Sequence, residues 1–297
     1  YLQENVMYFK SVLKPIFYYF AFDEAKYISH AFKALPSNPS ALGFIDIGAA
    51  GGLEPRWKII EKHLDYTGFE PDKRSFDALT QTNTKPFVDH RIIFPTALWD
   101  STHTLEINMC SKPQVSSHFT LNRTFLDRFP NSDRFDVKYR TTMECVALDD
   151  LDISANDFIK IDVQGGELSV LKGAARTLSS TLGVEAEVEF ISMYDEQPLF
   201  GEICEFLTKF DFEFVDFTTI GRWERQSFNG FGQAVYGDAL FLKSQETVIR
   251  NNHTIEELSN YLKILLVYYR FDMIDFVISK LSDKERNALY LFVPLSH

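Results

Sequence analysis

The stretch Gly43 to Gly52, GFIDIGAAGG, most constrains how this chain can fold. Phe44, Ile45 and Ile47 predict a short buried strand that runs into a glycine-rich turn, with a helix beyond. Glycine has no Cβ and tolerates positive φ, so such a turn lets backbone approach a ligand. A second apolar stretch, Tyr66 to Phe69, ends in Glu70. That acid stands roughly 20 residues downstream, where a nucleotide-binding α/β unit carries its ribose-binding carboxylate. The run Gly48-Ala49-Ala50-Gly51-Gly52 lacks the G-x-G-x-x-G spacing used for a pyrophosphate, and no P-loop Lys-Ser/Thr pair follows. With Asp46 just before the turn, the pattern suits a nucleoside without phosphates, S-adenosylmethionine (SAM) foremost.

From Gly43 the chain alternates strand and helix. Strands are expected at Phe44–Ile47, Tyr66–Phe69 and near Ile92–Pro95, with helices at Pro55–His63 and Lys73–Gln81 between them. Such alternation implies a mostly parallel sheet covered on both faces. Between Ala97 and Val146 the rhythm breaks into short strands, Leu105–Cys110, Ser117–Leu121 and Val137–Val146, read as an antiparallel excursion over the ligand edge. It resumes with a strand at Asp157–Asp162, a helix at Gly165–Leu178, a strand at Val184–Phe190 and a helix at Phe200–Phe210. The last strands, Phe212–Phe217 and Ala239–Leu242, have only a loop between them and should pair antiparallel. The expected organisation is an N-terminal helical segment (1–40), a Rossmann-like α/β domain (41–246, with an insertion at about 97–146) and a C-terminal helical segment (247–297). Asn5 to Leu35 has helical spacing before a Pro-rich stop; packing, a lid or a dimer surface are the roles weighed for it. Thr254 with Glu257 and Ser282 with Glu285 have capping-box spacing and start the two closing helices, which pack or dimerise.

Charge excludes some partners. Lys plus Arg number 30 against 42 Asp plus Glu, a net charge of −12, which disfavours a nucleic-acid surface and docking on anionic lipid. No segment resembles a signal peptide or membrane span; Pro15 to Phe22 is far too short to cross, so a cytoplasmic protein without membrane insertion is expected. Cys110, Cys145 and Cys204 are widely spaced without CxxC and read as reduced thiols. No His and carboxylate cluster has metal-ligand spacing, so no metal is expected.

The most specific stretch is Asp157–Ala174, DFIKIDVQGGELSVLKGA, which resembles the signature of the FkbM family of SAM-dependent methyltransferases. FIDIGAAGG, GFEPD at Gly68–Asp72, VEAEVEFISMYDEQPLF at Val184–Phe200 and YGDALFLK at Tyr236–Lys243 fit the same pattern. The resemblance covers about Leu42 to Lys243. It implies a class I, Rossmann-like sheet and methyl transfer from SAM, most often to a hydroxyl on a sugar, glycolipid or polyketide-like acceptor.

The candidate cofactor residues are Asp46, Gly48, Ala50 and Gly52 around the turn, Glu70 for the ribose hydroxyls, and Ala97, Leu98 and Trp99 for the adenine face; a core tryptophan is the alternative for Trp99. Asp162 ends an apolar strand at the switch point of the sheet, so it should face the cofactor or the acceptor; with Lys160 it could instead form an internal ion pair. The strand Val184–Phe190 alternates Glu185, Glu187 and Glu189, with Glu185 at the wet beginning and the other two near Asp162. Asp162, Glu187 or Glu189 could take the acceptor proton, with His118 as a further candidate base. Acceptor contacts are expected from Ser117 and His118, and from the Gly221–Gly237 loop, where Trp223 can stack on a sugar and Arg222 and Arg225 can grip an anion. The alternative for that loop, which also carries Phe228 and Phe231, is an aromatic patch packed on the C-terminal helices. The favoured function is an O-methyltransferase acting on a carbohydrate. The competing readings are a catalytically silent SAM-binding interaction module and an N-methyltransferase of amino sugars.

Overall fold

Strand β1 (Leu42–Ile47) is buried at every residue, as a central parallel strand covered on both faces must be. The computed structural model describes residues 41–81, 91–153, 156–225, 230–251 and 253–289. The N-terminal helical segment and Phe228 lie outside the described residues. Around β1 run β2 (Leu64–Phe69), β3 (Arg91–Phe94), β7 (Phe158–Ile161), β8 (Gly183–Glu189), β9 (Phe212–Trp223) and β10 (Gln233–Lys243). Their order is β3-β2-β1-β7-β8-β10-β9. The first five are parallel, and β10 is antiparallel to both its neighbours. The chain winds outward from β1 in one direction and then from β7 in the other, which leaves a crevice beyond the carboxyl ends of these two strands.

The two faces of the sheet differ in chemistry. One face buries Ile45, Ile47, Ile159, Ile161, Val184 and Ala186 in one apolar cluster with the helices Glu167–Lys172, Ala175–Ser180 and Phe200–Thr208. The other face is aromatic toward the strand beginnings, where Trp57 meets Phe44 (4.6 Å between rings) and Phe158 (4.8 Å). Toward the strand ends it turns charged, with Asp46 opposite Lys160 and Lys160 opposite Glu185.

Several elements differ from the sequence expectation. The segment after the glycine turn, Trp57–His63, is 3₁₀ and not α-helical, and it kinks at Ile60 (φ −118°, ψ 15°), which is buried together with Trp57. The helix expected over Gly165–Leu178 is two short ones, Glu167–Lys172 and Ala175–Ser180. Gly173 sits so close to the Trp99 carbonyl that a Cβ would lie 2.0 Å from it, and the Asp149 carboxylate caps the second helix through the amides of Arg176 (2.6 Å) and Thr177 (2.9 Å). The excursion is a sheet of β4 (Ala97–Trp99), β6 (Val137–Ala147) and β5 (His103–Cys110) in that order, with β4 parallel to β6. Ser117–Leu121 is not a strand; it makes single bridges, Ser117 to Asn108 and Leu121 to Tyr194. The expected long loop Gly221–Gly237 is mostly hairpin, since Trp223 already pairs with Gln233.

The described residues up to Lys280 belong to one compact unit, and the described residues 281–289 belong to a second. The first includes the helices Gln245–Arg250, Ile255–Val267 and Phe271–Lys280. Ile255–Val267 begins with the expected Thr254–Glu257 capping box. In the second unit the helix Asp283–Leu289 follows Ser282, whose amide donates to Glu285 at 2.7 Å. Among the described residues no helix is long and apolar enough to cross a membrane.

Candidate functional site

The crevice at the switch point is a cleft of about 600 Å³, lined by the glycine turn, the ends of β2 and β7, strand β4 and the inner face of the excursion. That volume is in the range of pockets that take drug-sized ligands. The turn is held by two amides, Gly48 N and Ala49 N, both donating to the Phe69 carbonyl (3.0 and 3.1 Å). Gly48 has φ +84°, and a Cβ there would lie 1.9 Å from the carbonyl oxygen of Asp162. Only glycine lets β1 and β7 end side by side with backbone open to the cleft.

Glu70 follows β2, its amide tied to the Phe94 carbonyl at 3.0 Å. One carboxylate oxygen accepts from the Asp72 amide at 2.8 Å, which aims the group along the cleft wall. Burial pushes its carboxyl up to about 7; the Asp72 amide bond opposes the rise, and the Asp72, Asp46 and Asp162 carboxylates add to it. A neighbouring hydroxyl donor would favour the ionised form.

Seven of the expected cofactor residues line this cleft: Gly48, Ala50, Glu70, Ala97, Leu98, Trp99 and Asp162. Asp46 does not. It is 1 % exposed, accepts from the Tyr66 hydroxyl at 2.7 Å and lies 3.9 Å from Lys160 Nζ. Gly52 closes the turn with φ +68° and stays off the lining. Both shape the turn from behind it.

Asp162 is the partly open acid of the site, its side chain 40 % exposed and 4.0 Å from Lys160. Burial works against the Lys160 charge, but Asp46 first, then Asp162 and Glu54, outweigh it and push the ammonium up. The anticipated Lys160–Asp162 ion pair therefore exists, and Asp162 still faces the cleft. Glu189 is buried and Glu187 half-buried behind it, both off the lining. Burial first, and then the Asp162, Glu167 and Glu189 carboxylates, push Glu187 well above the usual carboxylate range. Glu185, expected at a wet strand beginning, is 2 % exposed. It accepts from the hydroxyls of Tyr268 and Thr218 and lies 3.6 Å from Arg56, because the C-terminal helices cover that end of β8.

His118 and Ser117 do reach the cleft. His118 Nδ1 is 3.0 Å from the Glu106 carbonyl oxygen. A carbonyl can only accept, so Nδ1 carries the hydrogen and Nε2 is left as the basic nitrogen. The ring meets Trp99 edge-on at 5.7 Å. The other acceptor candidates, Arg222, Trp223 and Arg225, lie off the lining. Trp223 stacks with Phe125 (6.1 Å), meets Phe129 (5.3 Å) and Phe135 (5.8 Å), and carries the Arg134 guanidinium at 4.6 Å. It is a packing residue of a secondary core, and Arg225 lies over Phe129 in the same cluster.

Sequence reasoning missed Gln164 and Glu167. Gln164 has φ +58°, lines the cleft and reaches both Asp162 and Glu187 with its amide nitrogen. Glu167 accepts from the Val163 amide at 2.9 Å and fixes the turn between β7 and its helix. The pair Gly165-Gly166 was the available signal, since two glycines after a strand mark a turn that some side chain must brace. Among the described residues no group of His, Cys, Asp and Glu could hold a metal ion.

Several solved structures of methyltransferases resemble the chain. That of a methyltransferase FkbM from Methylobacillus flagellatus KT is 15 % identical with a TM-score of 0.42, covering 68 % of this chain and 43 % of its own. The chain thus spans less than half the length of that relative. Magnesium protoporphyrin IX methyltransferase from Synechocystis PCC 6803, solved with bound SAM, is 9 % identical (TM-score 0.37, covering 74 % and 78 %). The 1,6-didemethyltoxoflavin-N1-methyltransferase of Burkholderia thailandensis is 13 % identical (TM-score 0.35, 80 % and 86 %). No curated protein matches the chain. The sequence model of the Methyltransferase FkbM domain matches residues 46–214, more than half of the 297 residues and the span from the end of β1 into β9, and the chain belongs to that family.

Proposed function

We propose that the protein transfers a methyl group from SAM to a hydroxyl oxygen, on an acceptor of carbohydrate type. One observation carries the reading: a positive-φ glycine turn, a buried carboxylate after β2 and an open carboxylate after β7 all border one cleft at the switch point of a parallel sheet. The residues present fit SAM. Gly48 offers bare backbone where a Cβ would collide, and Glu70 offers a carboxylate to two ribose hydroxyls. Ala97, Leu98 and Trp99 give an apolar wall for a base, and no basic cluster asks for phosphates. When bound, SAM supplies an electrophilic methyl on a cationic sulfur.

The protein's own part is positioning and proton removal. Holding the acceptor oxygen in line replaces a bimolecular encounter by an oriented one. Asp162, facing the cleft, receives the hydroxyl proton in this reading. The excess of carboxylates around it also favours a cationic cofactor. A second reading of the base is His118, whose bond to the Glu106 carbonyl leaves Nε2 basic. The polar side chains Gln114, Ser116 and His118 on the cleft lining support a hydroxyl-rich acceptor. The test is conversion of methyl-tritiated SAM with a pool of cell glycans, by wild type and by Asp162→Asn and His118→Ala. Label in the glycans, lowered about 10²-fold or more by one substitution, is expected. SAM binding with no turnover on any hydroxyl acceptor would leave a silent binding module instead.

A further inference from the structure

We infer that Gln164 is a positioning residue: its side-chain amide fixes the rotamer of Asp162 by bridging it to Glu187. The inference rests on the reading of Asp162 as the proton acceptor. Gln164 Nε2 stands 3.0 Å from Asp162 Oδ1 and 2.7 Å from Glu187 Oε2. An amide nitrogen carries two hydrogens in one plane, so each carboxyl takes one and the angle between the acceptors is set. The choice of donor matters chemically. A lysine or arginine there would bring a full charge and quench the basicity of Asp162, whereas an amide orients the carboxylate and never ionises.

The backbone is built to present that amide. Gln164 adopts φ +58°, a left-handed conformation that L side chains rarely take and that is strained for a non-glycine residue. Its carbonyl accepts from Ser117 Oγ at 2.7 Å, which ties the β7 turn to the excursion that roofs the cleft. Gly165 follows with φ +96°, and the Glu167 carboxylate holds the Val163 and Gly165 amides at 2.9 and 3.3 Å. Each side of Gln164 is thus braced while its side chain points at two acids. Asparagine tolerates left-handed backbone better but is one methylene shorter, too short to span both carboxyls.

Two arms test the inference. The first is the crystal structure of Gln164→Ala with S-adenosylhomocysteine, read for the Asp162 side chain. A displaced or doubled Asp162 rotamer is expected; an Asp162 unmoved from its wild-type position overturns the inference. The second is a double-mutant cycle with methyl-tritiated SAM and the glycan pool. Gln164→Ala and Gln164→Glu should lower kcat about 10–100-fold, the scale of a misplaced catalytic group, with S-adenosylhomocysteine affinity within twofold of wild type. In an Asp162→Asn background the Gln164 substitutions should cost nothing further, because the group they orient is gone. If the losses simply add, Gln164 acts on stability and not through Asp162. If Asp162→Asn alone turns over like wild type, the base reading fails, and the first arm still decides whether Gln164 positions Asp162.

Discussion

Replacing Glu70 by Gln probes the cofactor end of the cleft with almost no change of shape. Glu70 is 5 % exposed, and one of its oxygens is already taken by the Asp72 amide at 2.8 Å. Burial has pushed its carboxyl from 4.5 to about 7, so without ligand the group titrates across neutral pH. Ribose hydroxyls donate best to the ionised form, so ligand binding should pull a proton off. Affinity is then full above pH 7 and falls as pH drops below it, approaching tenfold per unit, or about 1.4 kcal/mol. In the ligand-free protein the sign is opposite: the folded chain keeps this proton longer than the unfolded chain, so stability contributed by Glu70 is lost as pH rises from 4.5 through about 7. Gln cannot ionise, and one of its two terminal atoms is a donor where an acceptor is needed. Losing a charge-assisted bond costs about 1.5–3 kcal/mol, or roughly 10–100-fold in affinity at pH 8. At pH 6 the gap should narrow, because the wild-type carboxyl is mostly protonated as well. Calorimetry with S-adenosylhomocysteine at pH 6, 7 and 8 measures both effects. Equal affinities at pH 8, or the same pH slope in both proteins, would refute the ribose assignment.

Gly48→Ala should be costly, since its Cβ would lie 1.9 Å from the Asp162 carbonyl and φ is +84°. A loss of at least about 2 kcal/mol is expected, seen as a thermal midpoint lower by roughly 4–8 °C; a variant as stable as wild type and equally able to bind S-adenosylhomocysteine would contradict the close approach. Trp223→Ala should cost about 3 kcal/mol in urea denaturation, because it opens the cluster of Phe125, Phe129 and Phe135. Affinity for S-adenosylhomocysteine should stay within twofold; a raised acceptor KM at unchanged stability would restore Trp223 to the acceptor site.

What the sequence determined by itself is the part of this protein that local chemistry dictates. The strand–turn pattern of Gly43–Gly52, the acid after Phe69 and the apolar run to Asp162 specify a parallel sheet with its site at the switch point, because strand period and glycine turns are short-range properties. The same motifs made the family legible, and seven of nine expected cofactor residues border one cleft. What only the tertiary structure decided is where a side chain goes once distant elements pack. Trp223 reads as a loop tryptophan until the hairpin extends and three phenylalanines close on it. Glu185 reads as solvated until Tyr268, far along the chain, covers it with a hydroxyl. Gln164 reads as an unremarkable turn residue, because its role depends on Glu187 arriving from the next strand and Ser117 from the excursion. Periodicity records which face of an element is apolar, but the partner of a polar group is set by contacts across the whole fold.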